Sequence, residues 1–331
     1  MSSCRCLSVQ QPQRGVALVT ALLVVSLVTV VAVAMATRQQ IDVRRTANLL
    51  HGEQAYAYAM SAEAWARVVL KRDAKDNDYD VYEDEWATAL PPISVEGGLV
   101  SGRVEDWQGR FNLNNLLGSG GEVSEPDRKY FIRLLENLGL EQVLADRLID
   151  WLDKDIEVRF PEGAEDQEYL LLEQPYRTAN RPMTDISELR LVKGFDREAV
   201  TLLLPHITVL PERTPININT ATNAVLQALH AELASSDVGL LVEDRGDSGY
   251  QNLEEFLGHD ALAGLTLEVD VGVSSDYFRV LTDVQVGQGQ ARLESLLARD
   301  EEDVQVIYRI RTPLRLFSAL DIAEPDAGSV D

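Results

Sequence analysis

Cysteine and histidine are both scarce in this 331-residue chain. The two cysteines, Cys4 and Cys6, lie before the first long apolar segment. The rest of the chain carries no thiol, which excludes disulfides, cysteine catalysis and thiolate metal sites there. The histidines, which we interpret as surface or structural residues because they lack the short spacing of metal ligands, are His51, His206, His230 and His259.

Positive charge is also in short supply. The chain has 30 lysines and arginines against 54 aspartates and glutamates, a net charge of −24. Such a surface repels phosphate backbones, so we expect no nucleic-acid partner. Groups of neighbouring carboxylates suit Ca²⁺, which prefers oxygen ligands, although solubility through net charge accounts for most of these residues.

The motifs of common enzyme classes are missing. The sequence contains no nucleophile elbow around a serine and no glycine-rich phosphate loop. Paired carboxylates occur, but their separation cannot be read from a sequence, so they do not establish a glycosidase. We therefore expect that the protein is not an enzyme.

One long apolar run lies near the N-terminus. No charge interrupts the 22 residues from Val16 to Thr37. At ~1.5 Å per helical residue this run crosses the ~30 Å hydrocarbon core of a bilayer. Arginines lie on both sides, so charge alone does not fix the orientation. A short tail inside the cell and a folded domain outside is the simpler topology.

A second helical stretch follows the apolar run. Residues 39–73 contain no proline and a single glycine, Gly52. The pattern predicts one continuous helix, half in the bilayer and half packed on a sheet; the alternative is an ordinary membrane-proximal helix. The stripe predicted to face the sheet consists of Val43, Ala47, Leu50, Ala57, Ser61, Ala64 and Val68.

An acidic segment, Asp73 to Trp86, comes next. Its alternating aspartates resemble the start of an EF-hand loop, but Val81 stands where glycine is needed and Ala87 where glutamate is needed. We therefore reject an EF-hand and expect a solvated linker.

The remaining chain predicts strands at both ends and helices between them. Alternation around Gly109 predicts two short strands, and strands are expected again at 277–285, 290–298 and 304–311. Between about 116 and 215 the periodicity is helical. Helices are predicted at 124–139 and 141–152, a capping box at Asp185 and Glu188, and another helix start at Asp196.

The residues before the apolar run form a recognisable leader. Gln13, Arg14 and Gly15 end a short polar segment directly before Val16. This resembles the class III leader of type IV pilins and type II secretion pseudopilins. The resemblance implies that a prepilin peptidase cuts between Gly15 and Val16 and methylates the new N-terminus, which leaves the apolar helix in the mature protein.

The fifth mature position departs from the common pattern. Pilins usually carry glutamate there, where it pairs with the amino terminus of a neighbouring subunit, but this chain has Thr20. A carboxylate in hydrocarbon is costly unless it is paired. A subunit with no neighbour ahead of it can therefore dispense with the acid. Absence of this glutamate resembles the K-type minor pseudopilins.

Five further segments resemble the type II secretion K-protein family in the same order: VEDWQGRFNLNNL, IDWLDKD, GAEDQEY, PYRTANRPMTDISELRLVKGF and LPERTPININTAT. The resemblance implies an α+β fold, in which a pilin-like long N-terminal helix packs on an antiparallel sheet and a large all-helical domain interrupts the sheet. The expected divisions are the cleaved leader 1–15, the transmembrane half-helix 16–37, the periplasmic half-helix 38–75, the α/β domain 76–115 and 214–331, and the helical insert 116–213.

Six acidic residues are the candidate metal ligands. Carboxylates this close in sequence repel one another unless a cation or an arginine joins them. The family resemblance also implies bound calcium in the helical domain. The alternative is a solvated acidic rim paired with Arg159 and Arg177. The six candidates are Asp150, Asp153, Asp155, Glu165, Asp166 and Glu168.

Two segments resemble a DNA-binding module. ININTATNAVLQAL is similar to the opening of a helix-hairpin-helix, and ELRLVKGFD is similar to its hairpin. These modules need basic flanks, whereas the flanks here are acidic and no Gly-x-Gly hairpin comes directly after Leu229. We expect a structural use of the helices rather than DNA binding.

The resemblance implies a minor pseudopilin in the inner membrane, with its C-terminal domain in the periplasm. Its expected place is the tip of the pseudopilus, where a bulky insert has room. There it would start assembly with the I- and J-type minor pseudopilins, contact the major pseudopilin and support export of folded proteins across the outer membrane. The alternative is a single-span anchored periplasmic protein that binds or recruits substrates without polymerising.

Overall fold

The computed structural model describes residues 14–300 and 303–312. Most of the expected leader lies outside the described residues. The helices are α1 (Arg14–Asp76), α2 (Glu125–Asn137), α3 (Val143–Leu152), α4 (Asp166–Tyr169), α5 (Arg197–Leu203), α6 (Asn223–Gln227), α7 (Ser235–Arg245) and α8 (Leu253–Leu257). Short 3-10 turns cover Glu85–Ala87, Leu113–Leu116, Ile186–Leu191 and Asp260–Leu262. The strands are β1 (Leu90–Val95), β2 (Gly98–Asp106), β3 (Phe111–Asn112), β4 (Ile207–Thr208), β5 (Ile216–Asn217), β6 (Val271–Gly272), β7 (Tyr277–Val286), β8 (Gly289–Arg299) and β9 (Val304–Thr312).

Helix α1 is continuous over 63 residues, as predicted. At ~1.5 Å per residue it is about 95 Å long. Its apolar first part, from Val16 onward, is exposed along its whole length, and it is long and apolar enough to cross a membrane. No charged partner is needed there, because the polar side chains bond to the helix itself. Thr29, for example, donates its hydroxyl to the carbonyl oxygen of Val25 at 2.8 Å.

The main sheet is antiparallel, with strand order β1-β2-β7-β8-β9. The three late strands were predicted to within one or two residues, because each alternates between core and opposite-face residues. Strand β1 was not predicted, since its two prolines argue against a strand and are tolerated at the edge of the sheet.

The second half of α1 packs on this sheet, but through a different face from the predicted one. The face against β7 and β8 is small and flat, with Ala55, Ala59 and Ala66 buried. Val43, Leu50 and Val68 of the predicted stripe are exposed. Each helical residue turns the chain by about 100°, so the two stripes, set two residues apart, lie on nearly opposite sides of the helix. Both carry small residues, and spacing alone did not distinguish them.

The acidic segment after α1 is packed rather than solvated, which corrects the predicted linker. Asp80 is buried and accepts from Arg299 of β8 at 2.6 Å. Trp86 is also buried and meets Phe278 edge to face, with ring centroids 5.2 Å apart. The partner arginine lies more than two hundred positions away in sequence, so no local pattern announces it.

The helical region has one large core, which runs further than the predicted insert 116–213. We call residues 107–276 the helical lobe. Its buried cluster begins at Phe111 and continues through α6, α7 and α8 to Val269. Tyr130 of α2 donates its hydroxyl to the carbonyl oxygen of Val225 at 2.8 Å, which joins the two sides of residue 213. The structure thus gives no separate core on each side of that boundary, because residues 216–274 pack on the helical lobe rather than on the sheet.

A buried carboxylate holds the helical lobe to the sheet. Asp106, the last residue of β2, accepts from the backbone of Gln108 at 2.7 Å, and from Asn217 and Ser275 at 2.8 Å each. The Thr220 hydroxyl is a further donor. Burial raises the pKa of Asp106, although these donors oppose the rise. The lobe therefore enters and leaves the sheet at one rigid junction.

Candidate metal centre

The end of α3 is built around Asp150. This side chain is fully buried, and its Oδ2 accepts from the backbone N–H of Ala164 at 2.8 Å and of Arg159 at 3.2 Å. The two bonds fold the loop after α3 back onto the helix end. Gly163 is required at the closest approach, because a Cβ there would overlap Asp150 Oδ2.

Three of the predicted ligands come together beside Asp150. Asp153, Asp155 and Glu165 each place a carboxylate oxygen within 4.8 Å of the others. Asp153 is 5% exposed and Glu165 is 2% exposed, whereas Asp155 is exposed. Oδ1 of Asp153 and Oε1 of Glu165 are buried with no hydrogen-bond partner among the described residues. Buried oxygens without partners are costly, and a cation would use them.

Burial and mutual repulsion raise the pKa values of these carboxyl groups. Burial, with the nearby charge of Asp155, raises the pKa of Asp153 to about 6. Burial also raises the pKa of Asp150 to about 6, with a smaller contribution from Asp153. Glu165 is affected most: burial, together with the charges of Asp150 and Asp153, raises its pKa to about 7. The centre is thus short of positive charge.

Asp166 and Glu168, the other two predicted ligands, point elsewhere. Asp166 accepts from the backbone and the hydroxyl of Thr178 at 3.1 Å each, and from Arg177 at 3.1 Å. Glu168 pairs with Lys193 at 2.6 Å, and the hydrogen bond from this lysine lowers the pKa of Glu168. Neither carboxylate belongs to the cluster.

The structure agrees only in part with the alternative prediction, an acidic rim whose charge is neutralised by Arg159 and Arg177. Arg159 directs its guanidinium toward Glu125 at 3.5 Å and Asp146 at 3.6 Å. Arg177 reaches Asp166, as above. Neither arginine forms an ion pair with Asp153 or Glu165 in the part of the chain that the structure describes.

Sequence reasoning missed two side chains at this centre. Thr178 donates its hydroxyl to Glu165 Oε2 at 3.1 Å. Asn180 donates its backbone N–H to the carbonyl oxygen of Trp151 at 3.0 Å and its side-chain Nδ2 to the carbonyl oxygen of Asp155 at 2.9 Å. Both residues come from a loop distant in sequence, and the only local signal is that asparagine tolerates the left-handed backbone found at Asn180.

A second acidic group lies at the end of α1 and has a different character. Asp73, Asp80 and Asp84 also approach within 4.8 Å. Arg299 pairs with Asp73 at 2.9 Å and with Asp80 at 2.6 Å. The backbone of Val81 and the indole of Trp86 donate to Asp84. Arg299 thus supplies the positive charge for this group, and protein N–H groups supply its hydrogen bonds, so it does not need a metal ion.

Calcium suits the first centre better than other common metals. The donors are carboxylate oxygens on an irregular loop, which Ca²⁺ accepts and which soft metals disfavour. The oxygens of Asp153 and Glu165 that lack hydrogen-bond partners are available to bind such an ion. The family resemblance implies the same ion.

The exposed side of α1 is a second candidate functional surface. Thr20 lies on the apolar part of this helix and donates its hydroxyl to the carbonyl oxygens of Val16 and Ala17, at 3.0 Å each. Its polar group is thus satisfied without any neighbour. Leu50, Trp65 and Val68 continue an exposed apolar side along the part of α1 that also packs on the sheet.

Comparison with known proteins now decides the family. Residues 109–212 and 216–274 match the two family models described as type II secretion system (T2SS), protein K. A protein K of Pseudomonas aeruginosa is 39% identical over 302 residues, covering 88% of this chain and 90% of the relative. The chain belongs to the type II secretion system protein K family. The protein K of Aeromonas hydrophila is similar over 93% of this chain and 98% of its own length, at 35% identity.

A solved structure agrees with this assignment. The crystal structure of the GspK-GspI-GspJ complex from the type 2 secretion system of enterotoxigenic Escherichia coli contains a chain with a TM-score of 0.73 and 28% identity. The match covers 81% of this chain and 99% of that one. The predicted pilin-like α+β fold is confirmed. Members of the protein K family are minor pseudopilins, structural subunits of type II secretion rather than enzymes.

Proposed function

We propose that this protein K caps the tip of the pseudopilus and starts its assembly, in support of the export of folded proteins across the outer membrane. The observation that carries the proposal is the helical lobe at the C-terminal end of α1. In a thin helical filament, each subunit is covered by the next ones along the axis. A lobe of about 170 residues, counted from 107 to 276, leaves no space for a subunit above it.

The attachment of the lobe supports this steric argument. The Asp106 hydrogen bonds are buried, and Trp107 donates its backbone N–H to the carbonyl oxygen of Tyr277 at 3.0 Å. Tyr82, which follows α1, donates its hydroxyl to the carbonyl oxygen of Thr220 in the lobe at 3.1 Å. A lobe held this way cannot swing aside to admit another subunit.

Thr20 supports the same position independently. A glutamate at this depth would need an amine from a subunit ahead, whereas the threonine hydroxyl is satisfied within its own helix. The first subunit of a filament has no subunit ahead of it.

Immunogold electron microscopy tests tip placement. Cells that overproduce the major pseudopilin display long pili, and this protein would carry an epitope tag in the exposed loop at Gly246. We expect gold particles at one end of each pilus. Label distributed along the pili would overturn the proposal.

The partners follow from the solved relative. That structure is a complex of GspK with GspI and GspJ. We propose that the I- and J-type minor pseudopilins bind this chain, with the major pseudopilin below them. The exposed side of α1, with Leu50, Trp65 and Val68, is the surface available for neighbouring helices.

Maturation is proposed to follow the pilin route. Prepilin peptidase would cut between Gly15 and Val16 and methylate Val16, leaving α1 in the inner membrane and the folded part in the periplasm. Mass spectrometry of protein isolated from native membranes should find a chain that begins at methylated Val16. A chain that keeps residues 1–15, in cells with active peptidase, would favour an anchored protein that does not polymerise.

We also propose that calcium occupies the centre at the end of α3. Asp153, Asp155 and Glu165 would hold it, with Asp150 behind them fixing the loop. The ion would supply positive charge that joins the helix end to the loop at 163–168. Its role is structural, because none of the surrounding groups is arranged for catalysis.

A further inference from the structure

Asn180 carries the most unusual combination of backbone and side-chain geometry beside this centre. Its φ of 45° makes it the one non-glycine residue in the left-handed region within 14–300 and 303–312. Its Oδ1 is buried and has no hydrogen-bond partner among the described residues. A left-handed backbone and an unsatisfied amide oxygen at the same residue set this position apart from its neighbours.

The orientation of the amide is fixed by its neighbour. Nδ2 donates to the carbonyl oxygen of Asp155 at 2.9 Å. Turning the amide over would place Oδ1 against that carbonyl oxygen, and two acceptors repel each other. Oδ1 therefore remains on the side that no protein donor reaches.

The same cluster contains the other two orphaned oxygens. Asp153 Oδ1 and Glu165 Oε1 lack partners as well, and Asp155, whose carbonyl holds the Asn180 amide, contributes the third carboxylate. The loop carrying Asn180 also carries Thr178, which bonds to Glu165. The contacts of Asn180 with the carbonyl oxygens of Trp151 and Asp155 hold this third unsatisfied oxygen beside the cluster.

Cationic side chains near Asn180 are engaged elsewhere. The guanidinium of Arg181 donates to the carbonyl oxygen of Pro182 at 3.1 Å and lies 3.6 Å from Glu188. The amino group of Lys154 lies near Gly121. Among the described residues, no lysine or arginine forms an ion pair with Asp153, Asp155 or Glu165.

We propose that Asn180 Oδ1 is a neutral ligand of the metal, completing the oxygen set of Asp153, Asp155 and Glu165. This inference rests on the proposed calcium centre and deepens it. Amide oxygens are ordinary Ca²⁺ ligands, and a neutral one adds a bond without adding repulsion to three carboxylates. The left-handed backbone, which asparagine tolerates, sets the direction of this side chain.

Two substitutions separate a ligand from a purely structural residue. Asn180→Gly and Asn180→Asp both tolerate the positive φ, and both lose the donor to Asp155. Only Asn180→Asp keeps an oxygen in the position of Oδ1. Arg181→Gln is the charge control, since it makes the loop one unit more negative without touching the cluster.

Terbium, which replaces Ca²⁺ at oxygen sites, is the probe, applied to the full chain in detergent. Trp151, which is buried beside the centre, sensitises its luminescence, and Ca²⁺ competition gives the affinity. We expect Asn180→Gly to weaken Ca²⁺ binding by at least about 10-fold. Asn180→Asp loses the same donor and turns an acceptor toward the Asp155 carbonyl oxygen, but it keeps a ligand oxygen. It should therefore bind Ca²⁺ more tightly than Asn180→Gly, by a larger factor than the charge change alone produces in Arg181→Gln.

The outcomes test separately whether Asn180 is a ligand and whether calcium binds at the end of α3 at all. Equal weakening in Asn180→Gly and Asn180→Asp would show that only the bond to Asp155 matters and would overturn the inference. Unchanged affinity in Asn180→Gly would overturn it as well. If the wild type gives no sensitised emission and no calorimetric response to Ca²⁺, the proposed calcium centre itself fails.

Discussion

Asp153 and Glu165 place charge in the interior without the partners that such charge requires. Each is at least nine-tenths buried, and each has one oxygen without a hydrogen bond. Burial raises the pKa of both carboxyls, so their ionised forms are unfavourable in the folded chain. A bound cation changes this situation, because it favours the ionised forms and joins segments that otherwise repel one another.

The calcium response should therefore depend on Glu165. At a Ca²⁺ concentration ~100 times the dissociation constant, binding stabilises a folded protein by about 2.7 kcal/mol. We expect the wild type to gain stability on this scale when calcium replaces a chelator, and Glu165→Gln to lose most of the gain. Differential scanning calorimetry with calcium and with EDTA measures both.

Glu168→Gln is the matched control for that experiment. Glu168 lies three residues away but pairs with Lys193 on the surface. It should keep the full calcium response. An equal loss in both variants would point to a general effect of the loop and not to a ligand.

Prediction of individual residues succeeded where adjacency in sequence was enough. Asp153 and Asp155 share one helix end, and Glu165 follows in the loop that Asp150 folds back, so the three meet as expected. Asp166 and Glu168 lie apart from these three, because their carboxylates bond to Thr178 and Lys193 instead. Those partners come from other loops, and only the folded chain brings them close.

At the scale of single elements, an ion pair between a buried glutamate and a partly exposed arginine fixes α1 on the sheet. Glu63 is 2% exposed and accepts from Ser295 of β8 at 2.5 Å and from Arg309 of β9 at 2.7 Å. The buried alanines near Glu63 have small side chains that do not fix the position of the helix along the strands. This carboxylate specifies where the helix lies.

Glu63→Gln should lower the stability of the protein near neutral pH. Hydrogen bonds to charged groups contribute roughly 1.5–3 kcal/mol, and glutamine keeps the volume while losing the charge. We expect a loss of about 2 kcal/mol in chemical denaturation of the detergent-solubilised chain. Glu53→Gln, on the same helix and 3.6 Å from Arg311 at an exposed site, should change little.

The pH dependence of this loss has a definite sign. Burial alone would raise the pKa of Glu63, but the hydrogen bonds from Arg309 and Ser295 outweigh it and hold the pKa below the ordinary 4.5. Its stabilisation is present above that value and disappears as the pH falls through the lower folded value. Wild type and Glu63→Gln should therefore converge in acid. A gap that stays constant down to pH 3 would contradict this assignment.

Elements were predictable to the extent that they are long and regular. The late strands β7, β8 and β9 each span nine residues or more, and the sequence located them closely; burial alternates most clearly in β9. Helices α6 and α8 have five residues each, too few for a periodic pattern. The face of α1 could not be decided, because two small-residue stripes compete and a distant arginine selects between them.

At the scale of the molecule, the sheet and the helical lobe have separate main cores, and a smaller buried cluster of Trp107, Leu210, Tyr277 and Leu296 joins them. The lobe core runs from Phe111 to Val269, whereas the sheet core involves α1 and the strands. Local patterns showed that helices interrupt the sheet, but not that residues after 213 return to the helical side. That assignment depends on contacts such as Tyr130 with Val225, which no local pattern contains.

Two excisions should behave very differently. Replacing residues 109–274 with a short glycine linker removes the lobe core as a unit and rejoins neighbouring ends, so the sheet and membrane insertion should persist. Removing 116–213 divides that core and exposes Ile216, Val225 and Leu229. We expect this second variant to aggregate. Size-exclusion chromatography and circular dichroism in detergent compare the two, and equal behaviour would contradict the single lobe core.

The unbroken helix and the Asp106 junction together make the protein a strut. Helix α1 has no proline or kink-forming break between the bilayer and the sheet, and the lobe is bonded to the sheet without a hinge. A displacement of the membrane-spanning half along its axis is therefore transmitted to the outer surface of the lobe with little loss to bending.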